Sequence, residues 1–208
     1  MTELPDYIVW RINESEEELL SGLEHPEFFA DKIRNLKPGS RRRLEVLAVR
    51  RALKVLFEGE EVPVLYSEEG APYLSGNRHK DLPCYLSISH TQGYAMAIRC
   101  EMPVGCDIER LGTRVQRVVP KFLRNEEIAR LQLADDLYDI ALHLAWCAKE
   151  TAFKILGAAF YDLQNLTSVL HIDWNSHLLA LGVHGREKPL MVHFDVQDEY
   201  VMTWASSN

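Results

Sequence analysis

The sequence predicts an α+β fold with antiparallel sheet and one long helix in each half of the chain. Two observations support this prediction. Apolar residues recur at helical spacing from Leu44 to Leu56 and again from about Asp136 to Leu156. Short segments rich in β-branched and aromatic residues surround both stretches, which gives the element order βαβ-βββ-αα-βββ. Runs of strands alternating with runs of helices are typical of α+β folds.

The first half opens with a strand at 7–12, and Ser15 followed by three glutamates predicts a capping box and a short helix. Pro38-Gly39 should end the preceding segment, and Ser40 should cap a new helix. A long helix is therefore expected from there to Gly59. A strand at 62–66 and a turn at Gly70-Ala71-Pro72 follow. Further strands are predicted at 84–89, 94–100 and 104–109, the first two joined by the polar connection 90–93.

The second half begins with a helical segment at 113–133 that is interrupted near Pro120 and capped afresh at Asn125. A longer helix is predicted from about Asp136 to Leu156, ending at Gly157. Four strands complete the chain, at 169–174, 178–184, 189–196 and 200–205.

Length and composition exclude several classes of protein. The 208 residues suffice for one domain or two small lobes, and 47% hydrophobic residues are too many for a disordered chain. No apolar run reaches the roughly 18 residues that cross a bilayer, and the first residues lack a signal-peptide pattern. We therefore expect a cytoplasmic protein without a membrane partner. The four cysteines form no CxxC pair and are expected to be reduced and buried.

Charge is distributed unevenly along the chain. The net charge is −8, which argues against a nucleic-acid partner, yet residues 32–54 hold nine basic residues and one acid. That segment carries +8 and the remainder −16. A compact polyanionic ligand suits such a local cluster, and a solvated helix face is the alternative.

Two pairs of charged residues suggest a site. Asp107 and Glu109 alternate on a predicted strand and therefore share one face, where hard carboxylate oxygens favour Mg²⁺. Glu150 and Lys154 are four residues apart on the predicted long helix, whose other residues look buried. An ordinary exposed strand face and a surface ion pair are the alternatives. His90, in the predicted turn, could contact a phosphate.

Three stretches in this order resemble the 4′-phosphopantetheinyl transferase superfamily, of the Sfp type. They are S-x-S-H-T at 87–91, G-x-D-I-E at 105–109 and W-x-x-K-E-x-x-x-K at 146–154. Each motif is short, but the ordered trio with this spacing is specific. The resemblance covers residues 84–157 directly and the flanking segments more loosely.

The resemblance implies an enzyme that moves the 4′-phosphopantetheine group of coenzyme A onto a serine of an apo acyl or peptidyl carrier protein. Mg²⁺ is its implied cofactor and adenosine 3′,5′-bisphosphate its second product. It also implies a monomer of two similar α/β lobes in pseudo-twofold arrangement, with the coenzyme in the cleft between them. Residues 1–101 would form the coenzyme-binding lobe, and residues 102–208 the lobe with the metal and catalytic residues.

The resemblance implies roles for the residues of this sequence that match the family's motifs. Asp107, Glu109 and Glu150 match the metal ligands, and Glu150 or a metal-bound water would deprotonate the serine. Lys154 matches a catalytic and phosphate-binding lysine. Lys149, Ser89 and His90 match coenzyme contacts, and Arg41 is the best match for the 3′-phosphate ligand, with Arg42 and Arg43 as alternatives.

One departure from the family supports one alternative function, and a second alternative applies if the resemblance misleads. Many members have Gly-Lys-Pro where this chain has Gly70-Ala71-Pro72, which removes a basic contact to the coenzyme. A coenzyme A-binding module without transfer activity is therefore one alternative. A Mg²⁺-dependent nucleotide hydrolase is the other.

Overall fold

The structure is a computed structural model, which describes residues 5–157 and 161–207. The chain divides into two compact units, the first covering the described residues up to Val104 and the second covering Gly105–Ser207. Each unit combines antiparallel strands with one long helix, as predicted. The pseudo-twofold relation and the functions assigned to the two lobes stay predictions.

The N-terminal unit is built on a three-stranded sheet and three helices. Its strands are β1 (Asp6–Arg11), β2 (Leu65–Tyr66), β3 (Pro72–Tyr73), β4 (Arg78–His79), β5 (Leu82–Pro83), β6 (Tyr85–Thr91) and β7 (Tyr94–Cys100). Its α-helices are α1 (Glu16–Ser21), α2 (Ala30–Ile33) and α3 (Arg41–Leu56), with 3₁₀ turns at Pro26–Phe28 and Ser75–Asn77. The main sheet has the order β1-β7-β6, and both of its pairs are antiparallel.

Helix α3 packs on this sheet with the apolar face that its sequence predicts. Leu47, Ala48, Ala52 and Leu53 of the helix are buried against the sheet residues Ala95 and Ala97. The basic residues at the start of α3 are left outside this core, which fixes the position of the arginines on the unit.

Two local predictions in this unit have different outcomes. The capping box at Ser15 is confirmed, because its side chain accepts from Glu18 N and the Glu18 carboxylate accepts from Ser15 N. The hairpin connection at 90–93 is corrected, since β6 continues to Thr91 and His90 pairs with Ala95. His90 is therefore held in a ladder of the sheet, not in a turn.

The C-terminal unit is built on a five-stranded sheet in the order β8-β12-β11-β10-β9. Its strands are β8 (Val104–Arg110), β9 (Thr167–Asp173), β10 (Leu178–Val183), β11 (Leu190–Val196) and β12 (Tyr200–Ser206). Its α-helices are α4 (Thr113–Phe122), α5 (Asn125–Leu131), α6 (Tyr138–Leu156) and α7 (Leu163–Leu166), with a 3₁₀ segment at Gln132–Leu137.

Helix α6 is buried along much of its length against this sheet. Ala145, Ala148 and Ala152 have no exposed surface, and they pack in one core with Val192 and Val201 of the strands. Their small side chains let the helix backbone lie close to the sheet. The helix ends where predicted, at Gly157, which takes the positive φ of 84° that glycine tolerates.

The helical segment before α6 differs in detail from the prediction. Pro120 lies inside the last turn of α4, and the chain leaves the helix only after Phe122. Arg124, not Asn125, occupies the N-cap of α5, where the Glu127 carboxylate accepts from Arg124 N at 3.0 Å. Among the described residues, no helix is both long and apolar enough to cross a membrane.

Candidate active site

Strand β8 carries the two carboxylates that the sequence predicts on one face. Asp107 and Glu109 are 7% and 8% exposed, and both lie near residues of α6. Cys106 and Ile108 alternate with them and are buried as well. The strand is therefore covered on both faces, and its acids are held in a largely dehydrated setting.

Gly105 lets β8 and α6 approach each other closely. A β-carbon at position 105 would run into the Thr151 carbonyl oxygen and come within 2.8 Å of Ile155 Cγ1. No real β-carbon sits so close to a backbone group, so any side chain here would force the helix away. The glycine of G-x-D-I-E is therefore needed for a steric reason, and not for the geometry of a turn.

Lys154 of α6 reaches back to β8. Its Nζ donates to the Cys106 carbonyl oxygen at 2.7 Å and lies 3.0 Å from Asp107 Oδ1. Burial alone would lower the pKa of the Lys154 ammonium, but the nearby Asp107 carboxylate raises it overall. The lysine is thus a fixed positive charge beside the first carboxylate.

Glu150 lies one helical turn before Lys154 and has the opposite electrostatic balance. Burial raises the pKa of its carboxyl, and the Asp107 and Glu109 charges raise it further, against a smaller lowering by Lys154. Asp107, Glu109 and Glu150 therefore repel one another, and Lys154 offsets only part of this repulsion. A carboxylate with a raised pKa is a stronger base than an ordinary glutamate.

Cys147 also faces this cluster. Its thiol is fully buried on α6, and burial, together with a hydrogen bond and the charge of Asp107, raises its pKa. The sulfur therefore stays a neutral thiol beside the carboxylates.

The donor set suits a hard divalent cation in its chemistry. Mg²⁺ takes one or two carboxylates together with waters and substrate phosphates, and it would relieve the repulsion among Asp107, Glu109 and Glu150. In the part of the chain that the structure describes, no three His, Cys, Asp or Glu side chains by themselves form a group that could hold a metal ion. Oxygens from outside the protein would have to complete the coordination.

Lys149 of α6 lies in a closed environment. Its side chain is 0% exposed, and Nζ donates to the carbonyl oxygens of Phe122, Leu163 and Thr167 at 2.6, 3.2 and 3.1 Å. The carboxylate of Glu127 lies 2.8 Å away. The ammonium is therefore fully buried among acceptors, and the coenzyme contact of Lys149 stays a prediction.

A second charged cluster lies in the N-terminal unit. The Arg42 guanidinium contacts the His90 ring, and His90 Nδ1 lies 3.2 Å from Glu45 Oε2. Arg41 Nε is 3.4 Å from the other oxygen of Glu45. Burial would raise the pKa of Glu45, but the hydrogen bond and charge of His90 and the two arginines lower it overall. We call these four residues the Glu45 cluster.

The structure separates the three arginines that the sequence left as alternatives. Arg41 and Arg42 are exposed beside Glu45. Arg43 instead pairs with Glu16 Oε1 at 2.6 Å and donates to the Ile33 carbonyl oxygen at 2.8 Å. Arg43 therefore ties α3 to the preceding segments, and Arg41 and Arg42 are the better candidates for an anionic ligand.

Two further residues complete this part of the unit. Ser89 precedes His90 on β6 and is buried, opposite Met96 of β7. Arg50 of α3 is 5% exposed, and its two terminal nitrogens have no hydrogen-bond partner among the described residues. In the sequence Arg50 is only one of the basic residues of segment 32–54, because its burial depends on how α3 packs.

Comparison with known proteins agrees with this geometry. A sequence model of the 4′-phosphopantetheinyl transferase superfamily matches residues 103–205, which include β8 and α6. Enterobactin synthase component D from Escherichia coli O157:H7, Shigella flexneri and Escherichia coli K12 is similar, at 30% identity over 125 residues in each case. The matched segment covers 57% of this chain and 57% of each relative, so the chain spans little more than half of their length. Over residues 103–205, this chain is therefore similar to the 4′-phosphopantetheinyl transferase superfamily.

Proposed function

We propose that this protein transfers the 4′-phosphopantetheine group of coenzyme A to a serine of an acyl or peptidyl carrier protein, with Mg²⁺ as cofactor. The observation that carries the proposal is the set of neighbouring acids Asp107, Glu109 and Glu150, with Lys154 paired to Asp107, in the unit that the family model matches. We further propose that it acts as a cytoplasmic monomer.

The reaction exchanges a phosphoanhydride bond of coenzyme A for a phosphate ester bond to serine. The serine oxygen forms a bond to the phosphorus that carries pantetheine, and the bond from that phosphorus to the bridging pyrophosphate oxygen breaks. Adenosine 3′,5′-bisphosphate leaves with the bonding electron pair. The serine proton passes to Glu150, directly or through a water molecule.

Charge neutralisation and positioning supply most of the catalysis in phosphoryl transfer. Lys154 is fixed beside Asp107, where its ammonium would offset charge that develops on the phosphate oxygens. Mg²⁺ held by Asp107, Glu109 and Glu150 would neutralise and orient the pyrophosphate.

The N-terminal unit offers groups for the coenzyme's phosphates. Arg41 and Arg42 are exposed, and His90 is partly exposed beside them, so all three could donate to an anion. Ser89 is proposed as a further contact, by its place in the motif. The basic start of α3 would bind the 3′-phosphate, which the transfer itself does not require.

Intact-protein mass spectrometry tests the proposal. A panel of apo carrier domains from fatty-acid, polyketide and nonribosomal peptide synthesis is incubated with coenzyme A, Mg²⁺ and the protein. We expect a mass gain of one phosphopantetheine arm on at least one carrier, lost on metal chelation and on replacing the acceptor serine with alanine.

Two other outcomes would support the alternatives. Coenzyme A binding in a calorimeter, with no mass gain on any carrier, would support a binding module. Phosphate release from nucleotides without a carrier would support a hydrolase. Either result would overturn the proposed transfer.

A further inference from the structure

A buried ion pair of the C-terminal unit includes Lys149, the residue before Glu150 on α6. Lys149 and Glu127 are both 0% exposed, and Lys149 Nζ lies 2.8 Å from Glu127 Oε1. Two charges that are removed from water so completely cost several kcal/mol each unless every polar atom finds a partner. The contacts of both residues show how that cost is offset.

Each member of the pair bonds to backbone groups of other elements. Lys149 donates to carbonyl oxygens at the end of α4 (Phe122), in α7 (Leu163) and at the start of β9 (Thr167). Glu127 accepts from Val169 N at 2.9 Å and from Arg124 N at 3.0 Å. The pair therefore joins α6 to α4, α5, α7 and β9 through hydrogen bonds, which unlike apolar contacts are directional.

Stability alone is a weak reason for such a pair. Replacing a buried ion pair with apolar residues of similar volume is often neutral or stabilising. Directional contacts instead fix one rotation of a helix about its axis. Lys149 and Glu150 are neighbours on α6, so a rotation that breaks the Lys149 contacts moves the Glu150 carboxylate by the same angle.

We infer that the Lys149–Glu127 pair is a positioning device for Glu150. It holds α6 in the rotation that directs Glu150 toward Asp107 and Glu109, and it touches neither coenzyme nor carrier. This inference rests on the proposed function, since it assigns Glu150 its role there. A displacement of a reacting group by about 1 Å can cost about a hundredfold in rate, so the pair has a measurable effect.

The test compares Glu127→Gln, Lys149→Met, Lys149→Arg and the double variant Glu127→Gln/Lys149→Met with the wild-type protein. Folding is checked first by circular dichroism and thermal denaturation. For the folded variants we expect turnover at saturating substrates to fall about tenfold to a hundredfold. The KM for coenzyme A should stay within about twofold, and the double variant should lose less than the product of the single losses.

Lys149→Arg separates positioning from phosphate binding. Arginine keeps the positive charge and binds phosphate well, but its planar fork does not fit a closed site built around a single ammonium. We expect no rescue of turnover by arginine. Wild-type turnover in Lys149→Arg, together with a raised KM for coenzyme A in Lys149→Met, would show a direct coenzyme contact and overturn the inference.

Metal binding gives a readout that does not depend on transfer. Mn²⁺ titration followed by electron paramagnetic resonance should show affinity reduced several-fold in Glu127→Gln, although Glu127 is not a proposed ligand. Lys188→Met, at an exposed position of the same unit, is the matched control and should change neither quantity. A folded Glu127→Gln protein with wild-type turnover and Mn²⁺ affinity would reduce the pair to a structural role.

If the wild-type protein modifies no carrier, the proposed function fails, and the Mn²⁺ titration decides the inference by itself. If Lys149→Met does not fold, Glu127→Gln and the double variant decide it by the same criteria. An unchanged Mn²⁺ affinity in folded variants would contradict it in either case.

Discussion

The two charged clusters of this protein have opposite compositions. In the Glu45 cluster one buried acid lies among three basic side chains, Arg41, Arg42 and His90. The positive charges outweigh the effect of burial, and the pKa of Glu45 is lowered. Glu45 is therefore fully compensated, and positive charge remains on exposed guanidinium groups.

In the C-terminal unit the proportions are reversed. The ammonium of Lys154 pairs with Asp107, and Arg114 Nη1 lies 3.9 Å from Glu109 Oε1. The pKa of Glu150 is raised, because burial and the charges of Asp107 and Glu109 outweigh the lowering by Lys154. The comparison shows a lowered pKa where basic side chains surround one acid and a raised pKa where acids lie close together.

Neutralising the acids of the second cluster should have the largest effect. Asp107→Asn and Glu150→Gln should each lower transfer by roughly 10²–10³-fold, since each removes a proposed metal ligand and Glu150 is also the proposed base. The rate of mass gain on an apo carrier measures the loss. The exposed Glu187→Gln variant is the control for loss of one acid in the same unit. Near-normal rates in both cluster variants would refute the metal assignment.

Removing a guanidinium from the first cluster should have an intermediate effect. Arg42→Gln should raise the KM for coenzyme A about tenfold, the size expected for one charge-assisted hydrogen bond. Arg43→Gln should instead lower the thermal midpoint and leave that KM unchanged, because Arg43 bonds to Glu16 and Ile33. Initial rates at varied coenzyme concentration measure both variants. A raised KM for coenzyme A in Arg43→Gln alone would show that Arg43, and not Arg42, contacts the coenzyme.

The acid of the first cluster should give a pH-dependent contribution to stability. Glu45 has a lowered pKa in the folded protein, so its contribution is present above its ordinary value of 4.5 and is lost as the pH falls through the folded value. Glu45→Gln should lose about 1 kcal/mol at pH 7, and the difference from wild type should shrink below pH 4.5.

Chemical denaturation at several pH values measures that difference. Glu68→Gln, at an exposed position of the same unit, is the control and should follow the wild-type curve. A stability difference of equal size at acid and neutral pH would show that Glu45 contributes through packing and not through its charge.

The smallest expected effect is a gain in stability. Arg50 has a buried guanidinium without a hydrogen-bond partner in the described part of the chain, and burial lowers its pKa. Arg50→Met should raise the free energy of unfolding by less than about 1 kcal/mol, because relief from desolvation exceeds the packing that is lost. Equilibrium denaturation of the ligand-free protein measures the change, and a clear loss of stability would contradict it.

Periodicity and caps made most of the fold predictable. Helices α3 and α6 and the C-terminal strands follow from apolar spacing, and α1 follows from the glutamates after Ser15. The strand predicted at 62–66 shrinks to Leu65–Tyr66, because short strands depend on neighbours that local pattern does not reveal. For the same reason the connection predicted at 90–93 is shorter in the structure, where strand β6 continues to Thr91.

The positions of the acidic site residues were predictable from the sequence, whereas the environments of the basic residues were less so. Alternation on a strand correctly placed Asp107 and Glu109 on one face, and helical spacing correctly placed Glu150 and Lys154 together. The environment of Lys149 was not predictable, because its partner Glu127 is 22 positions away in the sequence and only the packed unit brings them together. Lysines in one motif can thus have unrelated environments.

Gly105 shows that a position near the acids can be sensitive to substitution although it carries no functional group. A methyl group there would clash with the backbone of Thr151, one residue after Glu150, and would push α6 away from β8. Mutational scans that target polar side chains would pass over this position. For anyone redesigning the protein, the distance between a strand and a helix is the quantity to preserve first.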